Sequence, residues 1–231
     1  MVEIEKVTFN KGNNIFCMKL VALFKEDIEI MKNFILKQHI NLDRKDFFII
    51  EDLDTELPII FEEDKGTVYG IFLDDKLVAT QAIDFSSKND RMLRPYVREF
   101  LEEDCQICEL GWTLVDVEFR GCHIGEYLLK YIEKQITSLG RVLVATVHPE
   151  NVIALGLYLR NGFKGYSVGE YYGYHRMFLI KTYVSCNTNF RMHVECKNLE
   201  EIEKMFKKGY VCSEVVRKEG KLFLSFSTTN M

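Results

Sequence analysis

Two glycines and an arginine stand where a strand-like run passes directly into a helical pattern. The run from Gln106 to Val117 has the composition of a strand, and Arg120, Gly121 and Gly125 follow it. Apolar residues then recur every four positions as far as Gly140, which predicts an amphipathic helix: Ile124, Leu128, Ile132 and Ile136. The first amides of a helix lack partners within it, and its dipole adds partial positive charge there. The segment is therefore suited to binding a phosphate, although the same pattern also occurs in simple tight connections.

A second candidate segment places an asparagine and a tyrosine on one helix. Val142 to Val147 is a continuous apolar run, which predicts a strand that is covered on both faces. A short helix is predicted from Asn151 to Arg160, with Asn151 as its N-cap and Asn161-Gly162 as its left-handed C-terminal stop. Asn151 and Tyr158 are seven residues apart, or about two helical turns, so they share a face of this helix.

The other periodic segments predict an α+β or mixed α/β architecture. They are a helix, a hairpin of two strands and a further pair of strands: Lys25 to Gln38, Thr67 to Leu73 with Leu77 to Asp84, and Phe163 to Tyr183. Strands and helices in this order form a sheet layered with helices.

After Tyr183 the pattern restarts with a strand, a helix and a hairpin. These are Asn189 to Cys196, Leu199 to Lys208, and Val211 to Val216 with Leu222 to Ser227. This stretch is too short for an independent catalytic domain. We therefore expect a main domain over residues 1–183. Residues 184–231 should form a small β-α-β-β extension that packs on the sheet or mediates oligomerisation, with a homodimer as one outcome.

The composition argues against several classes of partner. The formal net charge is −5, whereas nucleic-acid binding needs clustered Lys and Arg. No run approaches the roughly 18 apolar residues of a membrane helix, and the N-terminus lacks the pattern of a signal peptide. We expect a cytoplasmic protein with no nucleic-acid or membrane partner.

The seven cysteines fit that compartment as free thiols. Cys105 and Cys108 form a CxxC, but no second CxxC or histidine pair stands at zinc spacing, so no metal is expected. A redox protein that cycles these two thiols is an alternative.

Two motifs resemble those of the GNAT superfamily of acyl-CoA-dependent N-acyltransferases. The segment from Val115 to Gly125 resembles its signature, in which a strand leads into Arg/Gln-x-x-Gly-x-Gly/Ala. The segment Asn151-x-x-Ala154-x-x-Leu157-Tyr158-x-x-x-Gly162-Phe163 resembles its second element, in the expected order and at the expected distance. The resemblance covers about Thr67 to Tyr183. It departs at His123, where the family usually has its central glycine, and at Val117, where proline is common. A positive φ is strained but tolerable for histidine.

The resemblance implies a fold and a co-substrate site. The fold is a central mixed, mostly antiparallel β-sheet flanked by helices, and the co-substrate is acetyl-CoA. Backbone groups of the strand end would bind the pantetheine arm, the following turn would bind the pyrophosphate, and two residues of the second element would complete the site. The strand end comprises Val115, Asp116 and Val117. The turn comprises Arg120, Gly121, Cys122, His123, Ile124 and Gly125. The two residues of the second element are Asn151 and Tyr158.

The resemblance also implies catalytic roles in direct transfer to an amine. Tyr158 holds its proton at neutral pH and could give it to the departing CoA thiolate, or it could be an interior tyrosine. Glu109 has the same parity along the strand as Val115, and it could deprotonate the amine directly or through a water. An ion-paired or solvated carboxylate is the alternative, and His148 is the rival base. The tyrosines from Tyr171 to Tyr174 would lie beside the acceptor.

The acceptor itself is expected to be a primary amine of a small molecule or a peptide. Because no acyl-enzyme is needed, Cys122 is not the expected nucleophile. A non-catalytic acyl-CoA-binding or interaction module is the alternative, favoured by His123 and by the C-terminal extension.

Overall fold

The computed structural model describes residues 1–50, 52–62, 64–85, 93–102, 105–181 and 191–228. The chain divides into two compact units. The first comprises residues 1–89 and 108–141, and the second comprises residues 90–107 and 142–231.

Strands and helices follow one another along the chain. The strands are β1 (Val2–Lys11), β2 (Asn14–Leu23), β3 (Gly66–Leu73), β4 (Lys76–Asp84), β5 (Ile107–Val115), β6 (Val142–Val147), β7 (Phe163–Tyr171), β8 (Tyr174–Lys181), β9 (Met192–Glu195), β10 (Val211–Lys218) and β11 (Lys221–Ser227). The helices are α1 (Ile28–Ile40), α2 (Leu53–Ile60), α3 (Arg94–Val97), α4 (Ile124–Thr137), α5 (Val152–Arg160) and α6 (Leu199–Lys207). None of the helices in the described part of the chain is both long and apolar enough to span a membrane.

The first unit is an antiparallel sheet whose two faces are covered by different helices. Its strands pair in chain order from β1 to β5. Along β2, Met18 and Leu20 point to one face, and Val21 and Leu23 point to the other. The Val21 face packs on α1 and α2 through buried side chains that include Met31, Phe34, Ile35, Leu53, Leu57 and Leu114. The Met18 face packs on α4 through Phe9, Ile71, Ala79, Phe119, Ile124 and Leu128.

The second unit is also built on antiparallel pairs. Its strands lie in the order β6, β8, β7, β10, β11 and β9. Strand β10 meets β7 where Cys212 faces Gly165. A Cβ on Gly165 would lie 2.7 Å from Met177 Sδ and 3.1 Å from Cys212 Cβ, so a larger residue here would have to displace both side chains. A separate core in this unit contains Leu93, Val97, Ile107, Val144, Phe178 and Ile180.

The predicted fold class, an α/β (α+β) protein with a mostly antiparallel sheet flanked by helices, is confirmed. The sequence analysis missed the β1–β2 hairpin, α2 and the short helix α3. The predicted strand from Gln106 to Val117 ends earlier, because Val117 begins a short 3-10 turn that runs to Phe119. Residues 189–190 of the predicted strand at 189–196 lie outside the described residues. The domain boundary at residues 183 and 184 stays a prediction.

Candidate functional site

Strand β5 contains a β-bulge that follows from its pairing with β4. Thr80 faces Leu114 and Ala82 faces Gly111, so β5 has one more residue than β4 over this interval. Trp112 lies inside the bulge with a φ of 47°, which is in the left-handed region. The Thr80 hydroxyl donates a hydrogen bond to the Trp112 carbonyl at 3.0 Å and thereby holds the bulge.

The bulge changes the face on which Glu109 lies. Residues that face one another across paired strands share a side of the sheet, and Glu109 faces Asp84 on the same side as Gly111 and Leu114. Val115 faces Ala79 on the opposite side. The expectation that Glu109 and Val115 share a face because they share parity is therefore wrong, since the extra residue reverses the alternation. Glu109 is half buried on the side that packs against α1 and α2.

The turn that follows β5 is centred on a buried carboxylate. Asp116 is 1% exposed, and its Oδ1 accepts a hydrogen bond from the Glu118 amide at 3.1 Å. Its Oδ2 lies 3.2 Å from Lys37 Nζ and 3.5 Å from Lys76 Nζ. Burial raises the pKa of the Asp116 carboxyl, but the Glu118 amide and the two lysines together lower the pKa below its ordinary value.

The predicted phosphate-binding turn leads into α4 through a left-handed N-cap residue. His123 is the N-cap of α4, with a φ of 62° and a ψ of 16°, and its side chain makes no capping hydrogen bond. The helical ladder begins where the Tyr127 amide donates to the His123 carbonyl at 3.0 Å. Within the described residues, no hydrogen-bond acceptor is assigned to the amides of Ile124, Gly125 and Gly121.

These residues fit an anionic group. Gly121 has a φ of 86°, and a Cβ built on it would meet nothing within 4 Å, so the space in front of the turn is open. Arg120 is exposed, and its Nε donates to the Val115 carbonyl at 3.2 Å. Glu126 is the one acidic residue in the first turn of α4, and Lys130 Nζ lies 2.6 Å from its carboxylate. The hydrogen bonds from Lys130 and then His123 lower the pKa of Glu126.

The second predicted segment has the predicted helix ends. Asn151 Oδ1 accepts a hydrogen bond from the Ala154 amide at 3.2 Å and caps α5. At the other end Gly162 has a φ of 84°, in the predicted left-handed conformation. Tyr158 is 4% exposed, and its ring contacts that of Phe163 edge-on, with centroids 5.1 Å apart.

The rival base His148 is used within the fold. It is 6% exposed, and its Nδ1 lies 3.1 Å from the Glu150 amide. A backbone amide is always a donor, so this ring nitrogen must accept, and its lone pair is not available for a proton from a substrate.

The cysteines of the CxxC and of the predicted phosphate turn are buried or half buried. Burial raises the pKa of the Cys108 thiol, with a smaller opposing effect of Arg141, and this disfavours a reactive thiolate. Cys122 is buried although it lies in the predicted phosphate turn. Among the residues that the structure describes, no group of three or more His, Cys, Asp and Glu side chains is placed to hold a metal.

Tyr172 and Tyr174 are 44% and 42% exposed at the turn between β7 and β8.

The sequence matches the acetyltransferase (GNAT) family over residues 36–163, which is more than half of its length. The chain therefore belongs to the GNAT family of acetyltransferases, which use acetyl-CoA as acyl donor. A search of curated proteins found no match.

Solved structures of GNAT proteins resemble this chain in fold. A GNAT acetyltransferase from Streptococcus pneumoniae aligns with a TM-score of 0.51 and 16% identity, over 71% of this chain and 98% of its own. The ribosomal-protein-S18-alanine N-acetyltransferase of Escherichia coli aligns with a TM-score of 0.52 and 14% identity, over 75% and 98%. NAA60 of Arabidopsis thaliana, solved in complex with acetyl-CoA, aligns with a TM-score of 0.53 and 12% identity, over 71% and 97%. At these identities the likeness shows the fold.

Proposed function

We propose that this protein is an N-acetyltransferase that moves the acetyl group of acetyl-CoA to a primary amine of a small molecule or a peptide. The observation that carries the proposal is the connection between β5 and α4. There, the left-handed His123 ends the turn, and among the described residues the first amides of α4 have no hydrogen-bond acceptor. A helix N-terminus of this kind binds a phosphate through hydrogen bonds and through the helix dipole.

The turn would hold the diphosphate of CoA, and the end of β5 would hold its pantetheine arm. The amides of Gly121, Ile124 and Gly125, which have no acceptor among the described residues, would donate to the diphosphate, and Arg120 would add a permanent charge. The Val115 carbonyl already accepts from Arg120 Nε, but a carbonyl has two lone pairs and can accept a second donor. Val117 is half exposed in the following turn. Asn151 Oδ1 is engaged as a cap, which leaves its amide group to donate.

The proposed chemical step uses one base and one acid of the chain. Glu109 would take a proton from the acceptor ammonium, directly or through a water, and the neutral amine would attack the thioester carbon. As the C–S bond breaks, Tyr158 would give its proton to the sulfur, and the remaining excess proton on the new amide nitrogen would return to the Tyr158 phenolate. Backbone amides near Val115 would stabilise the charge on the thioester oxygen. The Asp116 amide is not one of them, because it donates to the Val78 carbonyl at 2.8 Å. No covalent acyl-enzyme is required.

The surroundings of Glu109 favour a cationic acceptor. Asp84 faces Glu109 across the strand pair, so two carboxylates share one side of the sheet. A Cβ on the neighbouring Gly111 would meet nothing within 4 Å, so the backbone beside the two acids is open. Two acidic side chains on one side of the sheet attract an ammonium group more strongly than a neutral nucleophile. The proposal further includes a cytoplasmic location and a C-terminal extension that supports the fold or a homodimer.

A non-catalytic acyl-CoA-binding module is the second candidate, and His123 is the observation that favours it. A histidine in the left-handed conformation costs more than the glycine usual at this position, which would be tolerated more easily where no turnover is selected.

The experiment that separates the two candidates measures free thiol released from acetyl-CoA in the presence of a panel of amines. The panel should include diamines, amino acids, aminoglycosides and peptides, and CoA binding should be measured on the same preparation by calorimetry. An acetyltransferase releases thiol with at least one amine and none without an acceptor. Binding of CoA with no thiol release from any amine would leave only the binding module.

A further inference from the structure

The turn after β5 is held by side chains from three distant elements. Lys11 at the end of β1 donates to the Glu118 carbonyl at 2.6 Å, and Lys76 at the start of β4 contacts the Glu118 carboxylate at 2.6 Å. Lys37 in the last turn of α1 reaches Asp116. Lys76 also lies near the Asp116 carboxylate, so this buried acid is the point at which α1, β4 and the turn meet.

Backbone hydrogen bonds connect Asp116 to the turn that precedes α4. The Phe119 amide donates to the Asp116 carbonyl at 2.8 Å, and the Cys122 amide donates to the Phe119 carbonyl at 3.3 Å. Phe119 is itself 7% exposed and packs edge-on against Phe16. A displacement of Asp116 is therefore passed through two hydrogen bonds into the segment from Gly121 to Gly125.

The charge of Asp116 opposes the ligand of that segment. A carboxylate close to a phosphate-binding turn repels an anion, and burying a charge is costly unless it is paired. Here the pairing is provided, since the carboxylate receives one amide and lies against two ammonium groups. A buried acid with this set of partners fixes geometry, and it does not attract the ligand.

We infer that Asp116, held by Lys37 and Lys76, is a positioning residue that sets the conformation of the turn from Arg120 to Gly125 for CoA. This inference rests on the proposed function, because it requires that the turn binds CoA. Asp116 acts through the turn, and its carboxylate does not contact the ligand.

The decisive variant is Asp116→Asn, because electrostatics and positioning predict opposite signs. The amide is similar in size to the carboxylate, and the substitution makes the neighbourhood of the phosphates more positive by one charge. Direct electrostatics predicts equal or tighter CoA binding. Positioning predicts binding about tenfold weaker by calorimetry, because the buried carboxylate loses its charge and its ion pairs with Lys37 and Lys76 are reduced to neutral hydrogen bonds. In the thiol-release assay the KM for acetyl-CoA should rise while kcat changes little.

A pair of Lys37 variants tests the same inference in a protein that keeps its buried acid. The Lys37 side chain is 53% exposed, so Lys37→Met and Lys37→Arg should both fold. Lys37→Met should bind CoA about threefold more weakly, and Lys37→Arg should restore binding. The matched control is Lys32→Met on the same helix, which removes the ion pair with Asp54 and should leave binding unchanged.

Salt distinguishes positioning from a direct effect of the lysine charge. At 1 M salt the Debye length falls to about 3 Å, so a direct interaction with the phosphates is screened. If Lys37 positions the turn, the ratio of dissociation constants between Lys37→Met and wild type stays the same at 0.1 M and 1 M. The inference is overturned if this ratio of dissociation constants falls to one at 1 M salt. It is also overturned if the Asp116→Asn variant binds CoA as tightly as wild type. Wild-type protein that binds no CoA refutes the proposed function itself, whereas normal wild-type binding with unaffected variants refutes only the positioning role. If Asp116→Asn does not fold, the Lys37 pair decides.

Discussion

The left-handed histidine before α4 makes a stability prediction with a definite sign. His123 has a φ of 62°, a conformation that costs an L-residue about 1–2 kcal/mol. Replacing it by glycine removes this cost but adds back the larger entropy that glycine loses on folding, about 0.5–1 kcal/mol. The contact between His123 and Glu126 at 3.3 Å joins an exposed side chain and adds little. His123→Gly should therefore stabilise the protein by roughly 0.5–1 kcal/mol, although it removes a side chain.

A reverse substitution in the same turn is the matched control. Gly121 has a φ of 86°, and a Cβ there would meet nothing within 4 Å, so Gly121→Ala introduces backbone strain without a steric clash. The strain of about 1–2 kcal/mol is offset by the about 0.5–1 kcal/mol of entropy that alanine does not lose, so the expected net loss is roughly 0.5–1 kcal/mol. For a chain of this size, 1 kcal/mol shifts the unfolding midpoint by about 2–4 °C. Calorimetric melting should show a rise of about 1–4 °C for His123→Gly and a fall of about 1–4 °C for Gly121→Ala.

The same two variants report on the proposed phosphate site. His123→Gly should keep CoA affinity within about threefold, because backbone amides would make the contacts and their conformation is retained. A lower midpoint for His123→Gly, comparable to that of Gly121→Ala, would refute the claim that this turn is strained at His123. A large loss of CoA affinity in a stabilised His123→Gly would show that the imidazole takes part in binding.

Three further predictions concern the ligand, the acid and the extension. Gly125→Glu should lose CoA binding by calorimetry, whereas its isosteric control Gly125→Gln should retain most of it. The reason is that a carboxylate is favourable at a helix N-terminus but repels a phosphate. Equal affinities of the two variants would place the phosphate elsewhere. Tyr158→Phe should lower turnover by about 10²–10⁴-fold and leave the CoA affinity nearly unchanged. If chemistry is rate-limiting and the turnover of the variant stays within a few-fold of wild type, water is the proton donor. A chain truncated after Tyr183 should aggregate or change its mass in light scattering, because it removes the buried side chains of Val211 and Leu224; a soluble truncated protein of unchanged stability would contradict this.

The pattern of apolar residues predicted the elements that bury many side chains. Helix α4 has the predicted position because its apolar residues recur every four positions, and strand β6 has it because its apolar run is unbroken. Strand β1 was missed because nearly all of its side chains are exposed, although Gly12, with a φ of 59° in the β1–β2 turn, could have indicated the hairpin. Helix α2 was missed because it contains Pro58, yet Asp52 accepts hydrogen bonds from the first amides of that helix and is a recognisable cap.

The two features that most change the site depend on contacts that are distant in sequence. The bulge at Trp112 exists only in the register that pairs β5 with β4, and one inserted residue leaves no mark on the composition of a strand. The burial of Asp116 depends on Lys37, which is 79 residues away in the chain. An acidic residue between two valines otherwise looks like a solvated turn position.

The reversal of faces in β5 bears directly on how the two proposed substrates would approach. Helix α4, whose N-terminus would bind the CoA phosphates, packs on the face that carries Val115, whereas Glu109 lies on the face covered by α1 and α2. In a strand without the bulge, Glu109 and Val115 would lie on one face, and the acceptor and the acyl donor would compete for the same side of the sheet. With the bulge, the proposed base and the proposed phosphate-binding helix lie on opposite faces of the sheet. Direct attack brings the nucleophile within about 3–3.5 Å of the thioester carbon, so the proposed roles require the acceptor amine to reach the end of β5 from the side of α1 and α2.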